Sequence, residues 1–121
     1  MKKNFLILGS NGSLGKKILE ILVSKKNCKF KTIAKKNANF IFNLENFNKL
    51  EKIIKKNNFD HVINCAAYTK LEYCEKNFRK ISKVNTKLPI KLSYWSKVYN
   101  YKYTHISTDH VYVSKKNVSN D

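Results

Sequence analysis

The sequence predicts an α/β fold, a doubly wound parallel sheet of about five strands with helices on both faces. Three observations predict it. Apolar segments of strand period and of helix period alternate along the whole chain; the first passage from strand to helix is built on a glycine triplet; and the single proline stands in the first turn of a later helix.

Phe5-Leu6-Ile7-Leu8 is a continuous apolar run, the pattern of a strand buried on both faces. After it comes Gly9-Ser10-Asn11-Gly12-Ser13-Leu14-Gly15, which holds all three glycines of the chain. Leu14, Ile18, Ile21 and Leu22 then form the stripe of an amphipathic helix. Strand, Gly-x-x-Gly-x-x-Gly, helix is the phosphate-binding turn of a Rossmann-type dinucleotide fold. Gly9 permits the tight turn, Gly12 lets a pyrophosphate approach the backbone, and Gly15 lets helix and strand pack closely. The free N–H groups and positive end of the new helix face the anion. A glycine-rich turn without a ligand is the plainer alternative, and the triplet gains weight only from the elements downstream of it.

Those elements fit. Phe30 to Ala34 reads as the second strand and Phe40-Ile41-Phe42 as a short third. Phe47, Leu50, Ile53 and Ile54 mark a helix from about Glu45 to Lys56, and His61-Val62-Ile63-Asn64 is the fourth strand. Thr86 is the expected N-cap of a helix carrying Leu88, Leu92, Trp95 and Tyr99, with Pro89 in its first turn, where a missing N–H costs little. Tyr103 to Ser107 is the fifth strand, expected to be a long apolar edge. Interleaved periods of this kind imply right-handed crossovers and one domain, residues 1–121, with no repeat or linker.

A net charge of +17 would ordinarily suggest nucleic acid or an acidic membrane surface. The basic residues are nearly all lysine, however, with Arg79 the one arginine, and Lys-Asn pairs recur from Lys26-Asn27 to Lys116-Asn117. Lysine and asparagine share A/T-rich codons, so a biased genome explains an even enrichment without a partner. No specific nucleic-acid binding is expected, only weak salt-sensitive attraction to polyanions. Cys28, Cys65 and Cys74 form no Cys-x-x-Cys pair, which fits free thiols in a reducing compartment and no metal site. The opening Met1-Lys2-Lys3-Asn4 leads into too short an apolar run for a signal peptide or a membrane span, so a cytoplasmic protein without membrane association is expected.

The second half carries a specific resemblance. Val62-Ile63-Asn64-Cys65-Ala66-Ala67-Tyr68-Thr69 resembles the fourth-strand motif of the dTDP-4-dehydrorhamnose reductases, RmlD-like members of the extended short-chain dehydrogenase/reductases. Val84-Asn85 is similar to the Val-Asn pair before that family's next long helix. His105-Ile106-Ser107-Thr108-Asp109-His110-Val111-Tyr112 resembles its fifth-strand motif, with His110 where the family has Tyr. The match spans essentially all 121 residues and corresponds to the N-terminal part of a family whose members are much longer. Sugar-nucleotide epimerases and dehydratases share the glycines and remain an alternative, as does a non-catalytic dinucleotide-binding or regulatory module.

The resemblance implies a cofactor, NADPH or NADH, held at its pyrophosphate by the glycine turn with Ser10, Asn11, Ser13 and Leu14 lining it. It places Asn43 and Leu44 at an adenine contact where the family has Asp plus an aliphatic residue. Ala66, Ala67 and Thr69 match positions beside the cofactor phosphate and nicotinamide ribose, although close packing alone would also account for the alanines. Thr108 matches the catalytic Ser/Thr that hydrogen-bonds the substrate carbonyl. Lys35 and Lys36 stand after the second strand where an acidic residue would bind a ribose hydroxyl, which favours a 2′-phosphate. His105 is expected to pack or make a local hydrogen bond rather than act as a base, and His61 to start a strand. Glu72 and Glu75 fit either the family's acidic positions or helix-start electrostatics.

The family's acid is a Tyr in Tyr-x-x-x-Lys on the helix after strand five. Tyr112-Val113-Ser114-Lys115-Lys116 matches literally, but Tyr112 lies four residues after Thr108 at the end of a strand, so that pair and the substrate lobe are expected to be missing from these residues. The resulting expectation is the cofactor-binding part of a nucleotide-sugar reductase of dTDP-L-rhamnose biosynthesis, inactive alone, with homodimerisation left open for the full-length form.

Overall fold

The structure, a computed structural model, describes residues 2–66 and 78–106. In chain order the elements are β1 (Lys3–Leu8), α1 (Ser13–Val23), β2 (Cys28–Ala34), β3 (Phe40–Ile41), α2 (Phe47–Asn57), β4 (His61–Asn64), α3 (Phe78–Ser82), a π-helical turn (Lys83–Lys87), α4 (Leu88–Tyr99) and β5 (Lys102–His105). The strands form one parallel sheet in the order β3-β2-β1-β4-β5. β1 lies at its centre because Leu6, Ile7 and Leu8 are fully buried, so both faces need cover.

Alternation along the strands divides the core in two. Leu6, Leu8, Ile33 and Val62 face α2 and α4, which present Leu50, Ile54, Leu88, Leu92 and Trp95. Ile7 and Ile63 face α1, which presents Leu22 with Ile18 and Leu19 beside it. Each fully buried aliphatic side chain stabilises the fold by about 1.5–3 kcal/mol relative to exposure. Asn46 caps α2, its side chain accepting from the Lys49 N–H at 3.2 Å. Asn58 and Asn100 close α2 and α4 in the left-handed conformation, at φ 49° and 58°.

Three expectations are corrected. Thr86 is not an N-cap: helix runs through it from Phe78, and it is an exposed residue of the π turn, so backbone N–H groups before Leu88 find carbonyls one turn back instead of a hydroxyl. Ile21 leaves the α1 stripe and is 56% exposed, because Leu22 and Ile18 already span the contact with the sheet. Nor is β5 a long apolar edge: it has four residues, of which Lys102, Thr104 and His105 are exposed, and an edge lysine disfavours further strand pairing. Ser107 of the expected fifth strand lies outside the described residues.

Candidate functional site

β1 pairs with β2 on one side and β4 on the other, and the connections leave in opposite directions from there. The carboxyl ends of adjacent strands therefore open a crevice between β1 and β4, the place where sheets of this kind bind ligands. A cavity of about 360 Å³ lies there, walled by the ends of β1, β2 and β4. Gly9, Asn11, Gly12, Asn43, Leu44 and Ala66 line it, six residues drawn from three separate stretches of sequence. Lys35 and Lys36 stand at the same wall, after β2.

The turn after β1 has its shape for identifiable reasons. Gly9 has φ 76°, which an L side chain rarely adopts, and its N–H donates to the Ile33 carbonyl at 3.0 Å. A Cβ on Gly9 would come within 2.8 Å of the Ala66 backbone, so β1 and β4 approach each other through this residue. Gly15 meets the turn from the helix side, where a Cβ would lie 2.5 Å from the Gly9 carbonyl oxygen. Gly12 differs: a built Cβ would meet only the Gly9 carbonyl oxygen, at 3.7 Å, an ordinary contact that a side chain can make without strain. Gly12 also caps α1 without any side-chain hydrogen bond, so first-turn N–H groups lack a capping side chain.

The surrounding side chains anchor this turn. Asn11 Nδ2 donates to the Lys36 carbonyl at 2.6 Å, tying the glycine turn to the loop after β2. Thr32 and Asn39 bridge that loop, with Asn39 Oδ1 accepting from the Thr32 N–H at 2.9 Å. The side-chain Oδ1 of Asn43 accepts from the Glu45 N–H at 2.9 Å, which fixes the approach to α2. Ser10 is 2% exposed, and its Oγ has no partner among the described residues. A buried orphan hydroxyl beside an open helix start is a polar group with unused hydrogen-bonding capacity.

Asn64, fully buried at the end of β4, accepts from the Ala66 N–H at 3.0 Å and so shapes the other wall. Its Nδ2 lies 3.3 Å from His105 Nδ1 and 3.4 Å from Tyr103 Oη. His105 thus makes a local hydrogen bond, as expected. His61 opens β4, stacks on Phe5 at 5.3 Å and pairs with Thr104 Oγ1 at 2.7 Å; burial and then Lys102 lower its pKa. Cys65 lines the cavity as a free thiol whose pKa burial pushes up to about 11, which makes it a poor nucleophile near neutral pH.

Ser13 and Leu14 begin α1 beside the cavity without lining it, and Gly15 is buried beneath it. Ala67, Thr69, Glu72, Cys74, Glu75, Thr108, His110, Tyr112 and Lys116 lie outside the described residues. Four lining residues were not singled out as site residues by sequence: Ala34, Phe42, Cys65 and Val84. The rule that ligands sit beyond strand ends could have found Ala34 and Cys65. Val84 reaches the cavity from the π turn, for which the sequence carries no signal. Among the described residues no group of side chains is arranged to hold a metal ion, and no helix is long and apolar enough to cross a membrane.

A family model, the RmlD substrate binding domain, matches residues 2–119. Among solved structures the chain is similar to a dTDP-4-dehydrorhamnose reductase from Bacillus anthracis in complex with NADP, with 26% identity and TM-score 0.79 over 97% of this chain and 40% of that one. A hypothetical dTDP-4-dehydrorhamnose reductase from Sulfolobus tokodaii is similar at 28% identity and TM-score 0.79, over 100% and 44%. A dTDP-4-dehydrorhamnose reductase from Clostridium acetobutylicum is similar at 26% identity and TM-score 0.78, over 98% and 39%. The chain therefore spans about two fifths of the length of these solved relatives. No curated protein matches it.

Proposed function

Since this chain belongs to the RmlD substrate binding domain family, we propose that it forms the NAD(P)H-binding part of a sugar-nucleotide reductase of the dTDP-4-dehydrorhamnose type. The observation that carries the reading is Gly12: a glycine at a helix start without a side-chain cap, lining a cavity at the crevice between β1 and β4 although the fold around it does not require a glycine there. The residues present fit a dinucleotide. The first-turn N–H groups of α1 suit a pyrophosphate, and Leu44, Phe42 and Val84 offer apolar wall to a flat base. Ala66 keeps that wall shallow, and the next residue in sequence, Ala67, is equally small. When bound, the nicotinamide supplies a hydride.

On this reading the chain's own residues bind and orient. Asn11 holds the turn in place, Lys35 and Lys36 attract a 2′-phosphate, and NADPH binds at least as well as NADH. Thr108 donates a hydrogen bond to the C4 carbonyl of a keto sugar linked to deoxythymidine diphosphate, and so polarises it. On this reading the proton for the new hydroxyl is not supplied by Tyr112 and Lys116, which stand only four and eight residues after Thr108. Residues 1–121 tested alone are thus expected to bind dinucleotide without turnover, since a missing general acid costs about 10²–10⁴-fold and lost positioning costs more. The complete enzyme is read as cytoplasmic.

The experiment has two arms. Fluorescence titration of NADPH against residues 1–121 should saturate, and Gly12→Val should abolish binding; unchanged affinity in that variant would remove the assignment. Fusing the C-terminal half of a homologous reductase after Asp121 should restore NADPH consumption that Thr108→Val then suppresses. Robust turnover by the unfused chain, lost on Tyr112→Phe, would instead make Tyr112 and Lys116 the working pair.

A further inference from the structure

Asn43 lines the cavity between two apolar neighbours of the same wall, Phe42 and Leu44. Its side-chain amide is engaged at one end, and chemistry decides which end. The Glu45 N–H can only donate, so the atom facing it at 2.9 Å is the amide oxygen. Turning the amide over would set its NH₂ against that N–H, donor against donor. What the side chain has left for a ligand is the NH₂, which has no partner among the described residues.

The loop holds this arrangement in place. Phe42 leaves β3 with its N–H on the Ala34 carbonyl at 3.3 Å, and Lys49 Nζ sits 5.0 Å from the Phe42 ring centroid. The chain then turns into α2. The Asn46 N–H donates to the Asn43 main-chain carbonyl at 2.9 Å, while the Glu45 N–H takes the side-chain oxygen. Asparagine and aspartate both suit such a turn, because each offers an oxygen to the N–H two residues on. They differ in the other atom. Asparagine brings two donors there, and an ionised aspartate brings an oxygen that only accepts.

We propose that Asn43 is a specificity-determining residue that meets the purine of the ligand as a donor, so that the site takes a dinucleotide with a 6-oxo purine as readily as one with adenine. The proposal rests on the dinucleotide reading, which sets a flat base against Leu44, Phe42 and Val84, beside this amide. Every purine edge carries a ring nitrogen that accepts, whatever stands at position 6. Adenine adds an amino group, which donates, and a 6-oxo purine adds an oxygen, which accepts. An NH₂ on the wall can bond the ring nitrogen of either base and the oxygen of the second. It gains nothing from the amino group. An acceptor in its place would invert the choice, bonding the amine and repelling the oxygen.

The test compares NADP⁺ with its hypoxanthine counterpart, in which an oxygen replaces the amino group of the base, by calorimetry against residues 1–121. The hypoxanthine dinucleotide should bind at least as tightly as NADP⁺. Asn43→Asp keeps the oxygen that the Glu45 N–H needs and puts a second oxygen where the NH₂ stood. Its ratio of affinities should move toward adenine by about tenfold, the scale of one hydrogen bond to a charged group. The added charge weakens both ligands alike and cancels in that ratio. Asn43→Ser also keeps an oxygen for the turn but lacks both NH₂ and charge, so its affinity for each dinucleotide should fall about threefold to tenfold. A parent chain that binds the hypoxanthine dinucleotide more than about threefold less tightly than NADP⁺, on the same scale, overturns the proposal and leaves the dinucleotide reading standing. So does a ratio that Asn43→Asp leaves unmoved, or an affinity that Asn43→Ser leaves unchanged. Binding of neither dinucleotide to the parent overturns the dinucleotide reading, and the proposal with it.

Discussion

Gly9 and Ala66 touch backbone to backbone: a methyl group on Gly9 would stand 2.8 Å from both the N and the Cα of Ala66. The end of β1 and the end of β4 are locked together at the point where the cavity opens. Gly9→Ala would meet that contact and a φ of 76° at once, and a left-handed alanine alone costs about 1–2 kcal/mol. Urea unfolding should therefore show a loss of at least that size. Gly12→Ala, with its nearest neighbour 3.7 Å away, should cost no more than about 1 kcal/mol as a poorer cap. Equal losses in the two variants would contradict the close approach.

Lys35→Glu should weaken NADPH more than NADH, because only the former offers a 2′-phosphate to the wall that Lys35 and Lys36 share. The expected selective loss is about tenfold, the order of one charge-assisted hydrogen bond. Parallel titrations with the two cofactors decide it; an equal loss for both would assign Lys35 to general attraction.

His61 gives stability a dependence on pH with a definite sign. Burial and then Lys102 hold its pKa below the ordinary 6.5, so between its folded and unfolded values the unfolded chain binds more protons. Its contribution is whole above 6.5 and is lost as pH falls through that value toward the folded one. Thermal melts across this interval should shift less in His61→Gln than in the parent, and a steeper shift in the variant would reverse the sign.

Cys65 provides a chemical probe of the cavity. Its thiol, pushed up to about 11 by burial, should alkylate slowly at neutral pH and faster as pH rises toward that value. Mass mapping after iodoacetamide treatment would follow it, and NADPH should slow the reaction further because Cys65 lines the cavity. Fast labelling that NADPH does not affect would place the ligand elsewhere.

Much of this was legible in the sequence where one local signal sufficed. Phe5 to Leu8 could only be a doubly covered strand, and the glycine turn announced the loop after it. Six of the twelve residues read as cofactor contacts, Gly9, Asn11, Gly12, Asn43, Leu44 and Ala66, converge on one cavity. Thr86 misled because a threonine before an apolar helical stripe has the local signature of a cap, and only the helix arriving from Phe78 removes the need for one. Asparagine was read as compositional excess, yet Asn37, Asn58 and Asn100 all occupy positive φ, a conformation that asparagine tolerates and that a count of residues does not reveal. The Asn64–His105 meeting was equally hidden, since it depends on strand register across forty-one positions.

The bond from Asn11 to the Lys36 carbonyl also bears on how the molecule ages. Asparagine followed by glycine is the dipeptide most prone to spontaneous deamidation, in which the glycine nitrogen attacks the side-chain carbonyl and ammonia leaves. Here the side-chain amide is held at 2.6 Å by Lys36, and the Gly12 nitrogen is engaged with the Gly9 carbonyl at 3.3 Å. Neither partner is free to reach the other while the turn is intact. The clock on this site therefore runs in the unfolded chain and stops in the folded one, so that time spent out of the native state accumulates a permanent mark, an extra negative charge at the turn proposed to receive a phosphate.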